Sequence, residues 1–279
     1  MTNEQSALWR IQSFGGMELL KAVTFNHEYP RHWHDTFVIE VVEGGANGFY
    51  CDGREYEAPE GSIILINPGA VHTGYPLGGN RLRYRSFYPS ECILSELADL
   101  PSGTGLRFTR HVLWDPSLAR LLSLVHQALE VSEDPVQSHS LLVTAFSRLV
   151  KSSSVKRAGE GSCKISGDSL RPAIEYIRES YNREITLSEL AELSGLSPYH
   201  FLRCFKKAAG LPPFEFLTNI RIERARQLLA RGLSIIETAL ATGFCDQSHF
   251  HRHFKRIVGV TPGQYRANSN LQVSLSIRH

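Results

Sequence analysis

Two sets of residues in this chain carry side chains able to bind or react. The first is His32-Trp33-His34, followed by Glu40 and later by His72. Imidazole and carboxylate donors suit iron, manganese or zinc. On an extended strand His32, His34 and Glu40 share parity, so one face can direct all three into a cavity that His72 enters from a neighbouring strand. Histidine pairs at a barrel mouth also simply bond to one another or to a loop, and that reading stays open. The second set comprises Tyr199, His200, Arg203, Lys206 and Lys207, then Gln247, Ser248, His249, Arg252 and Lys255. Those side chains can donate to base edges and phosphates. No nucleophile beside a base, phosphate-cradling loop or paired-carboxylate motif is evident, which disfavours the common hydrolase and transferase classes.

The elements that must position these residues change character along the chain. Up to about Phe87 the texture is short apolar runs (Phe37 to Val42, Gly48 to Cys51, Ser62 to Ile66) broken by Gly, Pro and Asp-Gly signals. Many short strands without helical periodicity predict a sandwich or barrel. Asp52-Gly53 tolerates the positive φ angles of a tight hairpin between two of those strands. At Asp115-Pro116 an N-cap residue and a first-turn proline precede Leu118, Leu121, Leu122, Val125 and Leu129 at helical spacing. A second helix is expected from about Pro135 to Val150. This pair either packs on the barrel or also forms a dimer interface. Lys151 to Asp168, rich in Ser, Gly and Lys, buries little and reads as a linker. The expected organisation is therefore residues 1–114 barrel, 115–150 helical pair, 151–168 linker, 169–267 helical domain and 268–279 tail.

The helical domain contains one pattern twice. Thr186-Leu187-Ser188-Glu189 and Ser234-Ile235-Ile236-Glu237 are capping boxes, so two helices begin 48 residues apart. Ala191 matches Ala239, and Gly195 matches Gly243 at the place of a helix-turn-helix turn. After a one-residue insertion Phe201, Arg203, Phe205, Lys206 and Gly210 match Phe250, Arg252, Phe254, Lys255 and Gly259, and Pro213 and Phe216 match Pro262 and Tyr265. The phenylalanines, four apart, share a face and dock the second helix of each unit onto its partner. The opposite face carries the polar set.

Charge divides at the same place. Residues 1–167 carry 15 Lys and Arg against 18 Asp and Glu, a net −3, whereas residues 168–279 carry 15 against 10, a net +5. The helical domain is the part that attracts a phosphate backbone. Five scattered cysteines without a CxxC pair argue against a disulfide framework and a thiolate zinc site. The longest apolar runs are too short to cross a bilayer and the first ten residues lack a signal-peptide pattern, so a cytoplasmic location is expected.

The frame Gly243-Phe244, Ser248, Phe250, Arg252-His253-Phe254-Lys255, Gly259, Thr261-Pro262 and Tyr265-Arg266 resembles the signature of the AraC/XylS family of bacterial regulators. Over residues 169–267 that resemblance implies two helix-turn-helix units joined by a central helix, here about Pro213 to Ala230. Two recognition helices then enter major grooves about one helical turn, ~34 Å, apart. Carried over residue by residue, it makes Tyr199, Leu202 and Arg203 groove-facing in the first recognition helix, and Gln247, Ser248, His249 and Arg252 in the second. Leu202, apolar where relatives often carry a polar group, can only touch a thymine methyl or pack. Asp246 is expected to cap the second recognition helix rather than read bases.

His32, His34, Glu40, Gly44-Gly45, Gly61, Pro68-Gly69 and His72 are similar to the two-part motif of cupin barrels. The joint resemblance implies a multidomain protein: a cupin-like β-barrel with two accessory helices, then an all-α DNA-binding domain. It also implies an effector bound without metal chemistry or cofactor, near His32, Trp33, His34, His72 and Tyr84. The alternating Arg81, Arg83 and Arg85 either face water or offer an anionic effector its partners. The expected partners are double-stranded DNA, a small-molecule effector, RNA polymerase for an activator, and a second copy of the chain, with no membrane. The alternatives are a metal-dependent cupin enzyme with a DNA-binding appendage, for which His32, His34, Glu40 and His72 are the ligand candidates, and an adaptor whose helical repeats bind protein.

Overall fold

The structure is a computed structural model, which describes residues 4–100, 105–131, 135–153, 155–157 and 168–269. The chain divides into two compact units whose main spans are Trp33–Glu160 and Gly161–Ala267.

The strands are β1 (Gln5–Ile11), β2 (Met17–Thr24), β3 (Tyr29–His32), β4 (Val38–Gly44), β5 (Ala46–Cys51), β6 (Arg54–Pro59), β7 (Ser62–Ile66), β8 (His72–Pro76), β9 (Leu82–Tyr88), β10 (Leu106–Phe108), β11 (Val112–Trp114) and β12 (Val155–Arg157). A six-stranded sheet runs β1-β2-β9-β4-β7-β11 and a four-stranded sheet runs β3-β8-β5-β6. These two sheets make the cupin-like barrel. Asp52 (φ 47°) and Gly53 (φ 84°) form the expected tight turn between β5 and β6.

Outside the barrel lie α1 (Glu91–Leu97), α2 (Pro116–Val131) and α3 (Pro135–Ser152). Strand alternation explains why they pack there. Ile39 and Val41 on β4, Ile63 and Leu65 on β7, and Phe87 on β9 turn one face of the larger sheet toward Leu118, Leu122 and Val125 of α2 and Leu142, Phe146 and Leu149 of α3, forming one buried apolar cluster. Asp115 caps α2 by accepting from the Leu118 amide at 2.9 Å. Arg81 and Arg83 are exposed and Arg85 half-buried, so that face of β9 lies outside the barrel interior.

Two elements depart from the expected organisation. A third helix, α1, follows β9; its N-cap Ser90 accepts from the Ile93 amide. Within residues 151–168, α3 continues to Ser152, and β12 pairs antiparallel with β10 through Leu106↔Arg157 and Phe108↔Val155. Local composition carried no signal for that pairing, because its hydrogen bonds go to a strand some fifty residues earlier.

The second unit contains α4 (Arg171–Glu179), α5 (Leu187–Leu193), α6 (Pro198–Ala209), α7 (Pro213–Ala230), α8 (Ile235–Ala241), α9 (Gln247–Val258) and α10 (Pro262–Ser269). Both capping boxes form as expected, starting α5 and α8. The central helix α7 buries Phe216, Leu217, Ile220, Ile222, Ala225 and Leu229 on more than one face. A helix apolar around its circumference must be covered on several sides, and α7 packs against α4, α6, α8 and α9. Among the described residues no helix is long and apolar enough to cross a membrane.

Candidate nucleic-acid interface and barrel polar groups

Each helix-turn-helix is assembled by the same local devices. Gly195 (φ 62°) and Gly243 (φ 77°) occupy left-handed turns between the paired helices. At Gly243 a Cβ would lie 2.7 Å from the Asn182 carbonyl oxygen, so only glycine fits, whereas nothing lies within 4 Å of one built at Gly195. Ser197 and Asp246 cap α6 and α9, the aspartate accepting from the His249 amide at 2.6 Å. That hydrogen bond lowers the Asp246 pKa below its ordinary value and leaves the carboxylate engaged with its own helix rather than free to read bases.

The apolar faces of α6 and α9 are fully buried. Phe201, Phe205, Phe250 and Phe254 are all 0% exposed. Phe205 meets Phe216 edge-to-face at 5.5 Å, and Phe254 meets Tyr265 at 5.4 Å. These matched contacts orient both recognition helices, and their opposite faces are left to solvent. Tyr199, His200, Leu202, Arg203, Lys206 and Lys207 on α6 are exposed, as are Gln247, Ser248, Arg252 and Lys255 on α9, with His249 half-buried. Tyr199, Arg203 and Lys206 on one helix, and Ser248, Arg252 and Lys255 on the other, follow i, i+4, i+7 spacing and so form one stripe each. The Arg203 guanidinium stands 6.0 Å from the centre of the Tyr199 ring.

His249 contacts the Cys245 sulfur through Nδ1 at 3.3 Å and the His253 ring edge-on at 4.6 Å. Burial, then the charges of His249, Arg252 and Arg256, lower the His253 pKa. His251 and Arg256, outside the set derived from the sequence, are also exposed on α9. Their position four residues after Gln247 and Arg252 was the available signal. Arg221 of α7, likewise outside that set, donates to the carbonyl oxygens of Tyr181 (2.7 Å) and Arg183 (2.9 Å) and lies 5.9 Å from the Phe244 ring centre. Arg221 thereby joins the loop before α5 to the turn before α9, a contact across forty residues with no local mark.

In the barrel the candidate residues divide into two groups. His34 and His72 lie with ring centroids 5.3 Å apart. Nδ1 of His32 faces the Pro30 carbonyl oxygen (2.8 Å) and Nδ1 of His72 that of Ala70 (2.9 Å). Desolvation lowers the His72 pKa to about 4, so this ring is neutral at physiological pH. Glu40 stands apart. Its carboxyl accepts from Asn47 Nδ2 (2.6 Å) and Ser86 Oγ (3.1 Å), and burial raises its pKa to about 7. The shared parity of His34 and Glu40 fails because β3 ends at His32 and β4 begins only at Val38, with bends between them. Tyr84 is buried and its hydroxyl meets that of Tyr29 at 2.8 Å. Its residue also borders a pocket of 350 Å³ lined by Lys21, Glu43, Arg83 and Arg85. Trp33 is buried at 9% exposure.

Among the described residues two groups offer three metal-ligand atoms within 4.8 Å of one another: His32, His34 and His72, and Cys51, Asp52 and His111. The second was not foreseen, since its members come from a hairpin turn and a segment sixty residues later.

Comparison with known proteins agrees with this architecture. Residues 14–146 match the family model of the AraC-like ligand binding domain, and residues 190–268 match that of a helix-turn-helix domain. The HTH-type transcriptional regulator YbfI of Bacillus subtilis is 32% identical over 224 residues, covering 80% of this chain and 81% of that protein. The MmsAB operon regulatory protein of Pseudomonas aeruginosa is 28% identical, over 86% of this chain and 78% of its own. A crystal structure of ToxT from Vibrio cholerae shares the fold, with a TM-score of 0.51 at 15% identity over 96% of this chain and 98% of that one. A ligand-binding barrel followed by two helix-turn-helix units defines a DNA-binding transcription regulator. The chain belongs to the AraC family of such regulators.

Proposed function

We propose that this regulator reads its operator with Tyr199, His200, Arg203 and Lys206 of α6 and Gln247, Ser248, His249, Arg252 and Lys255 of α9. The observation that carries this reading is the exposure of matched polar stripes on two helices whose opposite faces are locked by identical phenylalanine pairs. Arg252 is the strongest candidate for a bidentate base contact, and Arg252→Ala is expected to weaken operator binding by roughly 1–3 kcal/mol. A gel-shift titration in which the variant binds like the wild type removes Arg252 from the reading surface.

The barrel is the sensor in this proposal, taking a small-molecule effector near His32, Trp33, His34, His72 and Tyr84, without catalysis. The three imidazoles gather without Glu40, whose carboxyl is engaged by Asn47 and Ser86, and this weighs against the enzyme alternative, which needs that carboxylate beside them. Effector binding would alter how the helical domains of a cytoplasmic homodimer are presented to DNA, with α2 and α3 as the dimer-forming pair and RNA polymerase as the partner of an activator. Thermal unfolding of the full chain against a metabolite panel tests the sensor, because a ligand at about 100 times its Kd stabilises by about 2.7 kcal/mol. No shift with any metabolite, and turnover with added metal, would favour the enzyme.

A further inference from the structure

We propose that Cys51, Asp52 and His111 form a zinc site that clamps the β5–β6 hairpin to the β7–β11 edge of the other sheet. Their ligand atoms all lie within 4.8 Å of one another. Tetrahedral zinc with bonds of about 2.0–2.3 Å requires ligand atoms roughly 3.3–3.7 Å apart, so the three side chains can close on the ion with small rotations. His111 Nε2 is already 3.1 Å from Asp52 Oδ2.

The site has the supporting bonds that such an imidazole needs. His111 Nδ1 faces the Leu65 carbonyl oxygen at 2.9 Å, and the Leu65 amide donates to the His111 carbonyl oxygen at the same distance. Donation from Nδ1 to a backbone carbonyl fixes the ring and leaves the Nε2 lone pair for the metal. Cys51 is fully buried at the end of β5, with the Tyr56 ring edge-on to His111 at 5.3 Å. Asp52 retains 54% side-chain exposure, so water can complete the tetrahedron from that side. A thiolate, an imidazole and one carboxylate favour zinc over magnesium or calcium, which prefer all-oxygen shells. Arg107 and His72 are the other charged or titratable groups that act on Asp52.

The test uses the reduced full-length protein, stripped with chelator and titrated with cobalt(II). One equivalent is expected to give a thiolate-to-cobalt charge-transfer absorption that zinc displaces. The group of three histidines would bind cobalt without that absorption, so the signal separates the two sites. Cys51→Ser is expected to abolish it. Asp52→Asn is expected to keep it but weaken cobalt binding about tenfold or more, and because asparagine tolerates a positive φ the turn survives the change. No charge-transfer band at saturating cobalt overturns the proposal, as does a band that persists in Cys51→Ser through another cysteine. Should circular dichroism show Cys51→Ser to be unfolded, the asparagine variant decides, and an unchanged cobalt affinity there overturns the assignment.

Discussion

The two units place their polar chemistry in opposite environments. In the helical unit the candidate reading groups are exposed, except for the half-buried His249, and on α6 and α9 the opposite face buries the matched phenylalanines. In the first unit, the barrel with its helices, the chemistry-bearing groups are buried: His34, His72, His111 and His126 all expose less than a tenth of their surface. Exposed groups keep their charge and can be exchanged with little effect on stability, whereas buried ones are tied to folding through desolvation. The helical unit should therefore respond to salt and sequence, and the barrel to pH.

Four measurements sharpen or break that contrast. The largest effect belongs to the packed face of the helical unit. Phe254→Ala, which empties a position with 0% exposure, is expected to cost about 3–5 kcal/mol in urea unfolding. Leu202→Ala, on the opposite face of the matching helix, should stay within about 0.5 kcal/mol. Equal costs would show that the two faces are not divided as described.

Next comes the pH response of the first unit. His126 is 0% exposed, its Nδ1 accepts from Arg85 Nη1 at 3.0 Å, and burial followed by the Arg85 charge lowers its pKa to about 3. The unfolded chain takes up this proton below about pH 6.5 while the folded one refuses it. The stabilising contribution is thus complete above pH 6.5 and is lost as pH falls toward 3, at up to about 1.4 kcal/mol per pH unit. His72 acts in the same direction, and Glu40, with its raised pKa, acts in the opposite one between 4.5 and about 7. Urea unfolding from pH 7.5 to 4.5 should show a shallower slope in His126→Gln than in the wild type. Parallel slopes would remove His126 from the account.

A smaller difference separates the two turn glycines. Gly195→Ala should cost about 1–2 kcal/mol for the left-handed backbone alone. Gly243→Ala should cost more, since its Cβ also meets the Asn182 carbonyl, and thermal melts of the two variants rank them. The smallest effect is that of Lys255→Ala, which is expected to leave stability unchanged and reduce the salt dependence of DNA binding by about one unit of log–log slope. Fluorescence anisotropy over a salt series measures it, and an unchanged slope would remove Lys255 from the phosphate contacts.

Much of the helical unit was legible because its determinants are local. A capping box needs only residues three apart, and a docking face only residues four apart. Repetition then reinforced each signal. The barrel was legible as a class of fold but not as a site. Glu40 shares parity with His34 on paper, yet the strand between them is interrupted, and parity holds only along a continuous pleat. Strand β12 has the composition of a linker, and its partner β10 lies far away in the chain.

By itself, then, the sequence determined the repeated helix-turn-helix units, their caps and turns, and the polar stripes on α6 and α9, since helical periodicity converts spacing directly into a face. Only the tertiary structure decided which buried side chains meet. Asn47 and Ser86 hold Glu40, Arg85 meets His126, Arg221 joins the loop before α5 to the turn before α9, and Asp52 reaches His111. The physical reason is that such contacts depend on strand pairing and chain crossings between distant segments, which no local spacing encodes.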